Sequence, residues 1–429
     1  MTAIVLGLAL ATVIQSQTAP GGSIAFEHVA VVVADSGRIR PDQTVLVRGD
    51  RIIVVGPASS VAIPPGTIRI HGRGRFLLPG LVDIHVHVTA RDFPLFLFNG
   101  VTAVREMNGS PAHLAWRDSL ARGEIAGPSL VVTSPLLAGV AQRYRHELVA
   151  TPADAVAAVK RAAALGYDVI KVYDGLSLEA YQALTSEARR VGLSLTGHVP
   201  QAVGLAGLSD LQRSVEHTQE ILRGLNAHQA DSAGIAGAVQ RLRGRGIHVT
   251  PTLAVFGRLT LSASPEVQAL FQRPEMAYVD SSIAGWWGSF RRSPPSQPST
   301  RALALAEAHR RVVRELIAQE IPILVGTDTP NPFMVPGFSL HDELDALGRM
   351  GLAPSTLIRL ATIEAARFLG AESEFGRVAP GLRADLVLVE GNPLDDLSIL
   401  RSPQGVMVRG RWYSGVQLKE GLSHVRRKS

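Results

Sequence analysis

The chain has 429 residues, 46 % of them hydrophobic, and a formal net charge of +6. That length and apolar content suffice for a large buried core, which excludes a disordered protein and suggests two or three domain-sized units, or one large barrel plus a smaller unit. Arginine is spread along the chain and only the tail His424–Ser429 is locally basic, so the positive balance does not mark a nucleic-acid-binding protein; the absence of cysteine excludes disulfides, thiolate metal sites and cysteine-linked lipid anchors.

The apolar run Ala3–Ile14 has the size of a signal-peptide core and is too short to span a bilayer. Polar Gln15–Thr18 and then Ala19-Pro20-Gly21-Gly22 follow it, although no basic residue precedes it. Residues 1–20 are therefore read as an export signal that sends the protein to the periplasm or outside the cell; a buried first strand or helix, with a cytoplasmic protein, is the alternative. No stable membrane span is expected elsewhere.

From Ile24 to Ile70 the pattern is β-like, with runs at Phe26–Ala34, Thr44–Arg48 and Arg51–Val55 and a hairpin turn at Arg48-Gly49-Asp50-Arg51. Short β-rich runs return at Gly376–Val378, Asp385–Val389 and Gly405–Val408. Two β-rich ends around a long middle imply that residues 21–79 and 377–429 pair into a small β-sandwich domain.

Between them, over residues 80–376, strand and helix alternate. The strand candidates are Leu81–Val86, Thr102–Glu106, Ser129–Thr133, Val169–Tyr173, Leu193–His198, Ser214–His217, His248–Pro251 and Ile323–Asp328. Pro152–Leu165, which Thr151 can cap, and Arg301–Gln319 are the clearest helices. This alternation is the pattern of an α/β fold of the (β/α)8 TIM-barrel kind. The irregular stretch Gly285–Thr300 fits a surface loop or an active-site cover.

In such a barrel the chemistry sits where the C-terminal ends of the strands meet. His85 and His87 close the first strand, and residues two apart on a strand point to one side. His198 (LTGHVP), His217 (SVEHT) and Asp328 (ILVGTDT) close the fifth, sixth and eighth strands, and Lys171 lies in the fourth, within VIKVYDG. Imidazole and carboxylate are nitrogen and oxygen donors suited to zinc or manganese and not to soft metals. Lys171 is one of four lysines in a chain that otherwise uses arginine, and it sits between Ile170 and Val172. Burial lowers the pKa of such an amine, and a neutral amine can add carbon dioxide to give an anionic, bridging carbamate; a lysine that snorkels out or pairs with Asp174 is the plainer reading. Asp328 could serve as metal ligand and proton acceptor, or cap a turn before Pro330. His341 and Glu343, in SLHDEL, could reach the same pocket or lie solvated at a helix start.

The order PGLVD-HVH, strand-four lysine, GHVP, VEHT, GTDTP resembles the amidohydrolase superfamily, and GLRADLVLVEGNPLDD looks like the returning segment of its β-sandwich. GVTAVREMNG, the GHVP–VEHT pair and SLHDELDALGRMGLAP look most like its imidazolonepropionase-related and Xaa-Pro dipeptidase (prolidase-like) branch. The resemblance implies a binuclear centre. His85, His87 and Asp328 would hold one divalent ion, and His198 and His217 the other. Zinc is the expected metal, with manganese, cobalt or iron as alternatives; carboxylated Lys171 and a hydroxide would bridge the pair. Asp328 would carry the proton from the hydroxide to the leaving amine. The related dipeptidases use a tyrosine after strand seven to polarise the scissile carbonyl; here Phe256 stands in that neighbourhood, so Tyr173, Tyr144 or the second metal would take the part, with His341 a further substrate contact. The implied reaction is hydrolysis of amide bonds in dipeptides or N-acyl amino acids, by a homo-oligomer acting on small molecules. A lactonase, a cyclic-amide hydrolase and an imidazolonepropionase are the rivals within the class. A catalytically dead binding scaffold is the rival outside it. Arg143, Arg145, Arg291 and Arg292 could each grip a substrate carboxylate.

Overall fold

The computed structural model describes residues 22–225, 231–291 and 299–426. The expected export signal and Arg292 lie outside the described residues. Among those described, no helix is long and apolar enough to cross a membrane.

Both chain ends enter one eight-stranded sheet. Its order is Arg411–Ser414, Gly405–Val408, Leu386–Glu390, Arg75–Pro79, Ser23–Val33, Arg38–Arg48 and Arg51–Pro57, while Ile68–His71 pairs with Ser23–Val33 off this path. The seam is antiparallel, with Leu78 opposite Val387. Alternating residues from both termini bury one face: Phe26, Val45, Leu386 and Met407 are inside, and Phe26 meets Trp412 edge-on at 5.1 Å. Each large apolar side chain taken from water contributes roughly 1.5–3 kcal/mol, so this face joins the ends firmly. Gly376–Val378, expected as a strand, is a bend. Gly376 has φ 99°, and a Cβ there would stand 3.0 Å from Ile363 Cα.

In the middle of the chain, Leu81–Val86, Val101–Glu106 and Ser129–Val132 pair in parallel. So do Ile170–Val172, Leu195–Gly197, Gln212–Glu216 and His248–Thr250. Isolated bridges Thr133–Val169, Val249–Ile323 and Val86–Thr329 link these groups and the segment 323–329 in cyclic order. That last segment, expected as a strand, has no ladder of its own. Asp328 turns it with φ 56°, and at Gly326 a Cβ would come within 2.9 Å of His85 N. It is tied down instead by single bonds, Ile84 N to Val325 O and Asp328 N to His85 O.

The helices follow their caps. Thr151 accepts from Asp154 N and opens Pro152–Leu165, which Gly166 closes at φ 79°. Ser299 caps Thr300–Ala318. Helix Ser281–Trp287 and a 3-10 turn at Gly288–Arg291 occupy the first part of the stretch expected to be irregular.

Glu343 is not solvated. It is buried in helix Phe338–Gly348 and accepts from Leu253 N at 2.9 Å and Ala254 N at 2.7 Å. It thus caps, from a distance in sequence, the helix Leu253–Ser262, whose own N-cap Thr252 makes no capping bond. Glu343→Ala leaves two buried N–H groups without acceptors. The expected loss is about 2–4 kcal/mol, read as a lower midpoint in denaturant unfolding, whereas exposed Glu372→Ala should shift stability by less than about 0.5 kcal/mol.

Candidate active site

The strand ends bring the expected residues to one cavity of about 600 Å³, lined by His85, His87, Lys171, His198, His217 and Asp328 among others. His85 and His87 do face one side. Their Nε2 atoms stand 3.3 and 3.2 Å from the same Asp328 Oδ1. The His217 ring lies 4.7 Å from that of His85 and 5.3 Å from that of His198. His217 departs from strand alternation. Glu216 and His217 are consecutive yet both face the site, because His217 takes φ 69° and turns its ring back inward.

Behind three of the four imidazoles stands a fixed partner. Glu216 Oε2 is 2.8 Å from His85 Nδ1, and its Oε1 accepts from Arg105 Nη2 and Thr196 Oγ1, each at 2.8 Å. Asp174 Oδ1 is 2.8 Å from His198 Nδ1 and accepts from Arg223 Nη1 at 2.7 Å. Thr252 Oγ1 is 2.9 Å from His217 Nδ1. Such partners orient a ring and raise its basicity toward a cation. His85 Nε2 is buried without a hydrogen-bond partner among the described residues, although Asp328 is near. A buried, unpaired nitrogen is costly, and a metal ion removes that cost. His85, His217 and Asp328 offer ligand atoms within 4.8 Å of one another. The donor set therefore fits a divalent cation of borderline hardness.

The electrostatics agree. Burial, with Lys171 alongside, holds His85 well below the usual imidazole range, and burial also lowers His217 to about 4. Burial works against a charged His87 too, but hydrogen bonds to Asp328 and Glu106 outweigh it and raise that ring to about 9. Burial would raise Asp328; the imidazoles of His217, His85 and His87 overcome it and hold the carboxyl far below its ordinary value. The cluster thus favours one positive charge beside Asp328, a preference that a bound cation satisfies.

Lys171 is 1 % exposed, and its Nζ makes no ion pair or hydrogen bond among the described residues. Asp174, the plain partner for it, is engaged by His198 and Arg223. Burial lowers the amine to about 8.

Other expected contacts divide. Tyr144 and Tyr173 line the cavity, and Tyr173 stacks on His198 at 4.1 Å. Phe256 lines it as well, stacked on His309 at 3.5 Å. His341 does not reach it: its ring is buried, with Nε2 3.1 Å from Asn99 O, because the helix start that carries it packs inward. Arg143 and Arg145 line the cavity. Sequence reasoning missed Arg105, Glu106, Asp174, Glu216 and Glu220. Arg105 in TAVREM and Glu216 in SVEHT carried the same signal as Lys171, a charge inside an apolar β-run.

The sequence pattern of the Amidohydrolase family matches residues 76–413. An imidazolonepropionase of Cereibacter sphaeroides is 28% identical over 413 residues, covering 88% of this chain and 95% of that protein. The solved structure of a bottromycin amidohydrolase superposes with a TM-score of 0.77 at 27% identity, over 98% of this chain and 93% of that one. A Xaa-Pro dipeptidase solved with methionine in its active site has a TM-score of 0.67 at 18% identity, over 92% of this chain and 100% of that one, a likeness of fold.

Glu216→Gln keeps the size of the side chain but removes the charge behind His85. Metal retained after dialysis against a graded chelator should fall, with apparent affinity about 10–100-fold weaker. Unchanged retention would leave Glu216 as a purely structural partner of Arg105.

Proposed function

We propose that this chain, which belongs to the amidohydrolase family, is a metal-dependent hydrolase of carbon–nitrogen bonds whose substrates are dipeptides or N-acyl amino acids. One observation carries the reading: the Asp328 carboxylate lies within 3.3 Å of His85 Nε2 and 3.2 Å of His87 Nε2, in a cavity that also holds a buried lysine. In this reading the cyclic order of the eight segments is a closed (β/α)8 barrel over residues 80–376. Its C-terminal mouth is the active site, and residues 21–79 and 377–429 form the accompanying β-sandwich. Residues 1–20 direct export.

His85, His87 and Asp328 would hold one divalent ion, and His198 and His217 a second. Zinc is the first candidate, with manganese, cobalt or iron as alternatives. When bound, such ions supply Lewis acidity toward a carbonyl and lower the pKa of water. Lys171, as a carbamate, would supply a further anionic oxygen donor to the centre. Its neutral Nζ forms a bond to the carbon of carbon dioxide and releases one proton, and the depressed pKa of the buried amine favours that neutral form. Asp328 takes a proton from the attacking water at a carboxylate oxygen. It then passes that proton to the leaving nitrogen as the C–N bond breaks. Asn331 Nδ2, donating to Asp328 Oδ2 at 2.6 Å, keeps the carboxylate in place. Glu216, Asp174 and Thr252 keep the imidazoles from rotating.

The imidazolonepropionase relative supports a second reading, hydrolysis of a cyclic amide. A substrate screen separates the two: dipeptides and N-acyl amino acids against hydantoins, other cyclic amides and lactones, with metal-reconstituted protein and added bicarbonate. Turnover of the linear amides, abolished by chelation and restored by metal, is the expected result. Exclusive turnover of rings would replace the first reading with the second.

Lys171→Ala and Asp328→Asn should each lower kcat by about 10²–10⁴-fold or more, with the circular dichroism spectrum unchanged. Full activity in either variant would overturn the role given to that residue.

A further inference from the structure

The geometry points to a cavity mouth with two chemically distinct sides: Arg143 and Tyr144 bind the free carboxylate of the substrate's amino-acid half, and Phe256 and Trp286 meet an apolar acyl half. This inference rests on the hydrolase reading and adds substrate class and direction to it.

Three arginines line the mouth: Arg143, Arg145 and Arg223. Arg223 is neutralised, with Nη1 2.7 Å from Asp174 Oδ1 and Nη2 3.0 Å from Glu220 Oε1. Arg145 is spent on the carbonyl of Asn108. Arg143 alone of the three makes neither an ion pair nor a bond to backbone among the described residues. Its guanidinium donates to the Tyr144 hydroxyl and lies 4.7 Å from that ring's centre. No carboxylate that lines the cavity pairs with it among the described residues. Glu106 accepts from Val88 N at 2.7 Å and Asn108 N at 2.9 Å, and Asp328 is held among the imidazoles and Asn331. A guanidinium without a counter-charge thus borders the cavity. Because the Tyr144 oxygen accepts from Arg143, its own O–H is free to donate, so two adjacent donors are available to one carboxylate.

The loop that carries them is held in place. Gly139 N donates to Asp174 O at 3.0 Å, and a Cβ at Gly139 would stand 2.0 Å from Gly175 O, so only glycine permits this approach to the loop after the fourth strand. On the far side of Arg143, His146 Nδ1 is 2.8 Å from Tyr144 O, and Asn108 Nδ2 donates to Arg145 O at 3.0 Å. Arg143 is therefore presented from an anchored turn, which lowers the entropy lost on binding.

The apolar side comes from other elements. Val255, Phe256 and Leu259 belong to helix Leu253–Ser262, and Trp286 to helix Ser281–Trp287. Phe256 is backed by the buried His309 ring at 3.5 Å, and His309 Nδ1 is 2.7 Å from Thr218 Oγ1, so the wall is braced from behind. An apolar acyl group laid there excludes water from the bond to be cut.

The test reads binding apart from turnover. N-methanesulfonyl-L-phenylalanine, a sulfonamide, and its carboxamide are titrated calorimetrically into the full-length metal-loaded enzyme, its Arg143→Gln and Arg143→Lys variants, and Tyr144→Phe. The wild type should bind the acid about tenfold more tightly than the amide. Arg143→Gln should lose that preference, Arg143→Lys recover part of it, and Tyr144→Phe lower it about threefold. Kinetically, Arg143→Gln should raise KM for N-acetyl-L-phenylalanine by about tenfold, with kcat changed by less than about threefold. Equal binding of acid and amide by the wild type, or an undiminished preference in Arg143→Gln, would overturn the assignment even in an active enzyme. Protein that prefers the acid through Arg143 yet hydrolyses no amide would overturn the hydrolase reading instead.

Discussion

A carboxylate with almost no exposure to water, Glu216, sits at the centre of this molecule and holds the site together. It accepts from Arg105, Thr196 and Ser214 and faces His85 Nδ1, so four strands converge on one side chain. Burying an ion pair is costly unless every remaining donor and acceptor is satisfied. Arg105 meets that condition with Nε on Ile84 O at 2.7 Å and Nη1 on Thr196 Oγ1 at 3.1 Å. The His85 ring takes its position from this network. Removing one member strands the others in a medium without water, which ties the shape of the site to the stability of the core.

Backbone strain is stored at the site. His217 and Thr252, just past strand ends, and Asp328, in the segment that follows Ile323, all have positive φ. Such conformations cost of order 1–3 kcal/mol each for residues other than glycine, and they persist because surrounding groups hold them. Thr252 is fixed through Glu343, which caps the helix that begins one residue later, and Thr252 in turn steadies His217. A carboxylate on a helix far along the chain is thus linked, through Thr252, to the His217 imidazole. Asp328 is held by two backbone bonds to His85 O, from Thr327 and from itself, so the first and eighth segments cannot separate without moving the carboxylate.

The parallel strand groups, the capped helices and the paired chain ends are legible because each rests on a local signal: alternation, a Thr or Ser before a helical run, a glycine after it. His85 and His87 are legible for the same reason, since period two is a property of any strand. Lys171 stands out because a lysine between isoleucine and valine needs a partner or a purpose. Glu216 and Arg105 carry that same anomaly and go unread, because histidines nearby draw the chemistry to themselves. The misreadings share a cause. His341 and Glu343 look like a polar helix start, yet tertiary packing turns that start inward; Gly376–Val378 looks like a strand, yet close approach to Ile363 bends it.

The inventory is legible in the residues alone: donors of the right kind, in or at the end of apolar runs, in an order that belongs to the amidohydrolase family. Periodicity and residue chemistry are local, so they survive without coordinates. Convergence and occupancy come from the folded arrangement. Positive φ at His217 and Asp328 breaks the strand period that a reader must assume, and it is what brings those side chains to the same cavity as His85. Which arginine stays without an ion pair or a backbone partner is likewise a matter of who else stands within hydrogen-bond reach, and that depends on contacts between residues tens to hundreds of positions apart.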